Sequence, residues 1–336
     1  MTTFDPNAAA APDAGIFGLP CTRRDSRVIL LGVPFDATTS YRPGTASGPE
    51  AIRAASMQVD LHDHRFGRIY ERGIWMEDHP AHIAELSDRT RPLAQAIIDR
   101  GGSSADDTET LARIAAACEQ VNAFVRRHTE QVLEAGKVPG MIGGEHALSL
   151  GAIEACAARF GDIGILQIDA HMDLRRAFEG FTYSHASIMH NVLARVRGVR
   201  RLVQVGIRDY CEQEQIAADQ AGTRVHVSYW EDVADALSEG EPLRAIWQRV
   251  IDALPPQVYV SFDIDGLDPA LCPHTGTPVP GGLSFAQASL LLAMLKDSGR
   301  TVIGFDLVEV APGGPDEPEW DANVGARLLY RLCALA

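Results

Sequence analysis

The chain has 336 residues, 46% hydrophobic and 22% charged, with 45 acidic against 30 basic side chains and a formal charge of −15. That length supports one large domain with a substantial core, and the excess of acid argues against nucleic acid or an anionic membrane surface as a partner while drawing small cations in. No apolar run reaches the ~20 residues of a membrane span, and the six cysteines (Cys21, Cys118, Cys156, Cys211, Cys272, Cys333) lack any CxxC spacing, which suits thiols in a reducing compartment.

Residues 1–15, rich in Ala, Pro and Asp, read as a flexible arm. They lack the basic-then-apolar build of a leader, so a cytoplasmic protein with one domain over 16–336 is expected. Seven short apolar runs follow: Val28–Phe35, Val138–Ile142, Ile163–Ile168, Leu202–Ile207, Arg224–Val227, Val258–Ile264 and Val302–Val308. Rich in Val, Ile and Leu and without in–out alternation, they predict strands covered on both faces. Between them, Asp106 to Ala135 carries apolar residues at helical spacing (Leu111, Ile114, Ala115, Cys118, Val121, Val125), with Gly136 as a stop. Ser284 is placed to cap a helix through Ala288, Leu291, Leu292 and Leu295 that ends before Gly299. Alternating strands and helices predict an α/β fold of three layers, α-β-α, around a mainly parallel sheet with right-handed crossovers. No Pro/Gly/Ser-rich linker divides the chain. Ligands of such sheets bind beyond the carboxyl ends of the strands, so the polar residues that follow each run are the candidates for function.

Three runs end in acid and histidine. Ile163–Ile168 leads into Asp169-Ala-His171-Met-Asp173, whose alternate residues would share a face of extended chain. Val258–Phe262 leads into Asp263-Ile-Asp265-Gly-Leu-Asp268. The run ending at Ile142 continues as Gly143-Gly-Glu145-His146, where glycines permit a tight turn that carries His146 over the sheet. Carboxylates crowded at the mouth of an apolar sheet repel one another and resist desolvation. Four aspartates (Asp169, Asp173, Asp263, Asp265) balance two dications, with His146 and His171 as neutral ligands. Two-ion sites share bridging oxygens, and mixed carboxylate and imidazole ligands suit transition metals. Taken singly, Asp-x-His-x-Asp is equally a capped strand end, and Gly-Gly-Glu-His a plain turn; their joint occurrence after three apolar runs carries the metal reading. The looser scatter of His62, His64, His79 and His82 reads as exposed loop.

These segments resemble the ureohydrolases: arginases, agmatinases, guanidinobutyrases and guanidine hydrolases. The likeness extends to Leu31-Gly-Val-Pro-Phe-Asp36, Arg42-Pro-Gly-Thr45, Gly48-Pro-Glu-Ala-Ile52, Gly206-Ile-Arg-Asp209, Thr275-Gly-Thr-Pro278 and Asp306-Leu-Val-Glu-Val-Ala-Pro312, nearly the whole chain from about residue 27. The resemblance implies an arginase-like catalytic domain with His146, Asp169, Asp173 and Asp263 around one ion and His171, Asp169, Asp263 and Asp265 around the other. It further implies Glu309 as the grip on a guanidinium, His185 as the proton shuttle, Asp173 as the orienter of the attacking water and Asp209 as an aid to substrate placement. The bland alternatives are a helix-capping His185 and a Glu309 buried against an arginine. Expected products are urea plus an amine, or ammonia.

Three departures bear on substrate. Glu145 stands where Asp is familiar, Leu174-Arg-Arg-Ala-Phe-Glu-Gly180 follows Asp173, and Tyr183-Ser-His-Ala-Ser187 surrounds His185. With Asp36-Ala-Thr-Thr-Ser-Tyr-Arg-Pro-Gly44, these look most like the guanidine hydrolase branch, for which nickel is implied, manganese being usual elsewhere. Phe181 and Tyr183 near the metal would shorten the pocket and favour guanidine or a short substituted guanidine; an agmatinase or guanidinobutyrase activity is the alternative. The resemblance also implies a homo-oligomer, trimer or hexamer, and leaves room for a metal-loading accessory protein. Two rival classes fit less well. A zinc deacetylase uses one ion and adjacent histidines, and no His-His occurs here; a silent partner subunit would lack ligands, and all six stand.

Overall fold

Strands form where the chain can bury both faces of a β-branched, apolar run. In a computed structural model describing residues 4–11, 14–314, 316–317 and 319–336, the strands are β1 Val28–Val33, β2 His62–Asp63, β3 Gly67–Arg68, β4 Ile74–Met76, β5 Val138–Gly143, β6 Ile163–Ile168, β7 Val199–Ile207, β8 Val225–Tyr229, β9 Gln257–Asp263 and β10 Thr301–Val308. The helices are α1 Gly48–Ser56, α2 Ala81–Ile98, α3 Thr108–Glu134, α4 Ser149–Phe160, α5 Ile188–Arg195, α6 Glu212–Ala221, α7 Trp230–Ser238, α8 Leu243–Asp252, α9 Phe285–Asp297 and α10 Trp320–Cys333. Eight strands make one sheet in the order β4-β1-β5-β10-β9-β6-β7-β8. Every pairing in it is parallel. β2 and β3 form a separate small hairpin.

Two hydrophobic cores lie on opposite faces of the sheet. One joins alternate strand residues such as Leu30 and Val260 to α1, α8, α9 and α10; the other joins residues such as Leu31 and Ile165 to α2, α3, α4 and α5. This is the three-layer α-β-α arrangement expected. Strand boundaries differ where local chemistry intervenes. β1 stops at Val33 because Pro34 cannot continue the ladder, and β9 stops at Asp263, whose side chain turns the chain into a 3-10 turn at Ile264–Gly266. The edge strand β4 is three residues long and too short to register as an apolar run. α9 begins as expected: Ser284 and Gln287 form a reciprocal capping box. α3 starts at Thr108, later than expected, because Ser104 and Asp107 form a capping box one turn earlier.

Part of the expected arm lies against the domain. Phe4 meets the Tyr70 ring edge-on at 6.2 Å. Residues 1–3, 12 and 13 of that segment lie outside the described residues. Just beyond it, Phe17 is buried against Tyr330 of α10, with ring centroids 4.8 Å apart.

Candidate metal centre and active site

Four neighbouring strands, β5, β10, β9 and β6, deliver the polar cluster from their carboxyl ends. Strand order departs from chain order here, and the following helices α4 and α10 pack on opposite faces. A crevice opens at such a switch point. His146 follows β5, Glu309 follows β10, Asp263 ends β9 and Asp169 follows β6.

The local routes differ from the extended-chain expectation. Asp169 Oδ1 accepts from the His171 backbone N–H at 2.7 Å, and Asp263 Oδ1 from that of Asp265 at 2.9 Å. Each aspartate therefore closes a turn around itself. The chain bends again at Asp173, which takes the left-handed conformation at φ 56°. Asp169, His171 and Asp173 thus converge through turns and not by alternation along a strand. Gly143 and Gly144 also act otherwise than expected, since neither has a positive φ. Gly144 is instead a place of close approach: a Cβ there would lie 1.9 Å from the Phe35 carbonyl oxygen. The crossing segment is tied in by Gly144 N–H to Val33 O at 3.1 Å and Glu145 N–H to Phe35 O at 3.0 Å.

Two ligand groups result, His146–Asp169–Asp173 and Asp169–His171–Asp265, sharing Asp169. His146 Nδ1 lies 3.1 Å from Asp169 Oδ2, 3.0 Å from Asp173 Oδ2 and 3.4 Å from Asp263 Oδ2, yet it is buried without a hydrogen bond. His171 Nδ1 lies 3.1 Å from Asp265 Oδ2 and 3.5 Å from Asp169 Oδ1. On its far side His146 Nε2 is 2.8 Å from Ser261 Oγ, which donates to Asp306 at 3.0 and 3.1 Å. Because the Ser261 proton goes to Asp306, Ser261 accepts from Nε2–H, so the neutral ring has its lone pair on Nδ1.

That lone pair and the carboxylate oxygens converge on common ground, which is how ligands of a cation are disposed. The electrostatics agree. Burial, reinforced by Asp169, pushes Asp173 up to about 7. Burial and the Asp265 and Asp169 charges raise Asp263 well above the carboxylate range. His146 and His171 are held well above their ordinary value despite burial, by the carboxylates around them. These groups borrow protons where positive charge is wanted, and the donor set fits divalent transition ions. Among the described residues these are the groups that could hold a metal; His62, His64, His79 and His82 are not in them. Nor is His274, which is clamped by Asp321 at 2.8 Å and Glu317 at 3.2 Å.

Glu309 sits at φ 62° and its Oε1 accepts from the His146 backbone N–H at 2.8 Å. Burial, with repulsion from Glu145, pushes it up to about 8 against the opposing pull of His185. Among the described residues no arginine or lysine pairs with it, so the alternative of an arginine-neutralised acid is not what the fold builds. His185 is not the helix cap: Ser184 fills that role, accepting from Ala186 N–H at 3.2 Å. The His185 Nε2 lies 3.3 Å from Ser40 Oγ, and its Nδ1 lies 3.8 Å from Glu145 Oε2. Burial opposes its charge, but Glu145 and Glu309 hold it above the usual imidazole value. Glu145 is itself fixed by the Thr38 N–H at 3.0 Å and the Thr38 hydroxyl at 2.5 Å. Thr38, Ser40 and Glu145 fall within segments the sequence pattern marks, but their contacts with one another and with His185 come from the fold alone.

A cleft of about 160 Å³ opens beside the cluster, lined by His171, Asp173, Arg175, His185, Asp209 and Thr277 among others. Asp209 is exposed, and its N–H is anchored on the Ala170 carbonyl at 3.1 Å. Tyr183 does not line this cleft. Its hydroxyl donates to Glu119 at 2.9 Å and accepts from Arg195 at 2.8 Å, and with Phe181 it borders a different cavity against α3. Glu179 and Gly180, both at positive φ, turn the chain between Phe178 and Phe181, so that Phe178 faces the cleft in place of Phe181. A pocket shortened by Phe181 and Tyr183 is therefore not what the structure provides.

Beneath the cluster runs a row of buried polar side chains, one per strand. Gln204, Gln167, Ser261 and Asp306 are register partners across β7, β6, β9 and β10. Gln204 Nε2 donates to Gln167 Oε1 at 2.7 Å, and Gln167 Nε2 donates to Asp169 Oδ2 at 2.8 Å. The signal that could have found them is a polar residue inside an otherwise doubly buried run.

Two adjoining imidazole–carboxylate groups at the switch point of a parallel sheet define a binuclear metallohydrolase. The sequence pattern of the Arginase family matches residues 26–334. An N(1)-aminopropylagmatine ureohydrolase of Thermus thermophilus is 32% identical over 312 residues, covering 93% of this chain and 90% of its own. An agmatinase of Bacillus anthracis is 30% identical over 290 residues, 86% of this chain and 84% of its own. Among solved structures, proclavaminate amidinohydrolase from Streptomyces clavuligerus superposes with a TM-score of 0.74 at 25% identity, covering 98% of each chain. The chain belongs to the arginase family and is a ureohydrolase, an enzyme that splits a guanidino compound with water.

Proposed function

We propose that His146, Asp169, Asp173 and Asp263 hold one divalent ion and that His171, Asp169, Asp263 and Asp265 hold the second, nickel or manganese in either place. The observation that carries this reading is the unpartnered His146 Nδ1 facing three carboxylates while its other nitrogen is committed to Ser261. When bound, the ions supply water activated for attack at neutral pH and positive charge against the developing anion. The remaining work falls to side chains. Glu309 accepts hydrogen bonds from the planar guanidinium and sets its carbon near Asp173. Asp173 accepts a hydrogen bond from the attacking water and orients it. His185, steadied by Ser40 and Glu145, gives a proton to the departing nitrogen. Asp209 guides the rest of the substrate along the cleft wall. The guanidinium and one water become urea and an ammonium ion.

The cleft extends past Asp173 to Arg175, Phe178 and Tyr210, which favours a guanidino compound with a tail over guanidine itself. Metal analysis of the purified protein, paired with urea release, tests the reading. Two ions per chain are expected, and Asp169→Ala or Asp263→Ala should lose metal and urea release together. Full activity in the double variant would overturn it.

A further inference from the structure

Leu174 and Arg175 follow Asp173, and Arg175 enters the same cleft as His171 and His185. Its guanidinium carbon lies 4.9 Å from the centre of the Phe178 ring, and Phe178 in turn meets the His185 ring edge-on at 6.4 Å. A cation–π contact of this kind holds the arginine head group over the ring. The Nε is ion-paired with Glu214 Oε2 at 3.4 Å, an acid whose two oxygens also accept from the backbone N–H groups of Leu174 and Cys211, each at 3.0 Å, so the pair anchors the stem of the guanidinium at its Nε side. Among the described residues the Arg175 side chain donates no hydrogen bond, and it is 34% exposed. Its neighbours differ. Arg208 is spent on the carbonyls of Gly206, Asp265, Leu267 and Val279, and Arg91 on those of Asp36 and Thr39. Arg175 is thus held at Nε by Glu214, while among the described residues its two terminal nitrogens have no partner, in a cleft whose other charged groups are mostly acids.

We propose that Arg175 binds a carboxylate at the far end of the substrate, so that the preferred substrate is an ω-guanidino carboxylic acid; this rests on the ureohydrolase reading above. The guanidinium end meets Glu309 while the carboxylate is held bidentately at the cleft mouth. The same cation repels an ammonium tail, which gives selection against amines of equal length. No bond in the tail changes: the acid and one water give urea and the ω-ammonio acid.

The test uses metal-replete enzyme and urea release from 4-guanidinobutanoate, butylguanidine, agmatine and guanidine. One charge-assisted pair predicts kcat/KM for the acid roughly tenfold to a hundredfold above that for butylguanidine, carried mainly in KM. Arg175→Gln should bring that ratio close to one, and Arg175→Lys should restore part of it. A wild-type preference for agmatine, or equal use of acid and butylguanidine, overturns the proposal even if a variant fails to fold; so does a ratio unchanged in Arg175→Gln. Urea from none of the four would sink the ureohydrolase reading itself.

Discussion

His146 shows how a single side chain is committed before any ligand arrives. Asp306 accepts from the Ser261 hydroxyl, Ser261 accepts from the His146 Nε2–H, and Nδ1, once its own proton is displaced, is the acceptor among carboxylates. Partners of this kind typically govern metal affinity by about 10–100-fold. Ser261→Ala is therefore expected to weaken metal binding by about that factor, read in competition with a chelator, while the circular dichroism spectrum stays that of the wild type. Unchanged affinity would mean that the imidazole is oriented by packing alone. Backbone strain marks the same place: Asp173 and Glu309 are two of the four non-glycine residues at positive φ among the described residues. Each such conformation costs on the order of 1–3 kcal/mol and persists only where surrounding contacts enforce it. For Glu309 the enforcing contacts include its own N–H to Gly144 O at 2.9 Å and Thr275 Oγ1 to its carbonyl at 2.7 Å. Replacing it with Gln keeps the acceptor for His146 N–H and removes the charge that meets a guanidinium. Glu309→Gln should bind metal normally and lose catalytic efficiency, about 100-fold if the lost charge-assisted pair is worth some 3 kcal/mol. Metal content measured beside kcat/KM separates that outcome from a collapsed site.

At the scale of strands and loops, the segment after β1 is a structural part of the site, because Phe35 passes directly over Gly144. Gly144→Ala would place a methyl carbon 1.9 Å from a backbone oxygen, an overlap that only backbone movement relieves. Overpacking of this sort destabilises by about 1–3 kcal/mol. The displacement would also carry Glu145 and His146 out of place, so loss of metal at a temperature where the domain is still folded is the expected result. Retained metal stoichiometry would contradict it. Continuous apolar runs made the sheet readable in advance, and acids or histidine at or within five residues of the ends of three of them marked the candidate ligands. What was hidden depends on strand order and on turns. Gln204, Gln167, Ser261 and Asp306 are unremarkable singly; they fall into one row of two hydrogen-bonded pairs, Gln204–Gln167 and Ser261–Asp306, only once β7, β6, β9 and β10 lie side by side, and hydrophobic periodicity does not give that order. Tyr183 was misplaced for a similar reason. The Glu179–Gly180 turn reverses which aromatic ring meets the cleft, and no spacing rule reports a left-handed glutamate. Glu145 stands where Asp is familiar, and its side chain reaches Thr38 and approaches His185.

For the whole molecule, the site is a local concentration of the acidity that gives the chain its charge of −15, and stability should report it. Burial lifts Asp173 to about 7 and Glu309 to about 8, whereas their unfolded counterparts ionise near about 4. Raised Asp263, His146, His171 and His185 act in the same sense. Asp169, held low by His146 and His171 against the effect of burial, acts in the opposite sense only below the ordinary carboxylate range. Between about pH 4 and 8 the metal-free native state consequently holds more protons than the unfolded chain, and its stability falls as pH rises. Divalent ions take over the role of those protons, and their binding releases them. The melting temperature of chelator-treated protein should then decline from pH 5 to 8, while that of metal-replete protein declines less or rises. The gap between the two curves should widen steadily with pH. A gap that stayed constant or narrowed over that range would show that the clustered aspartates and histidines are neutralised by something other than exchangeable dications.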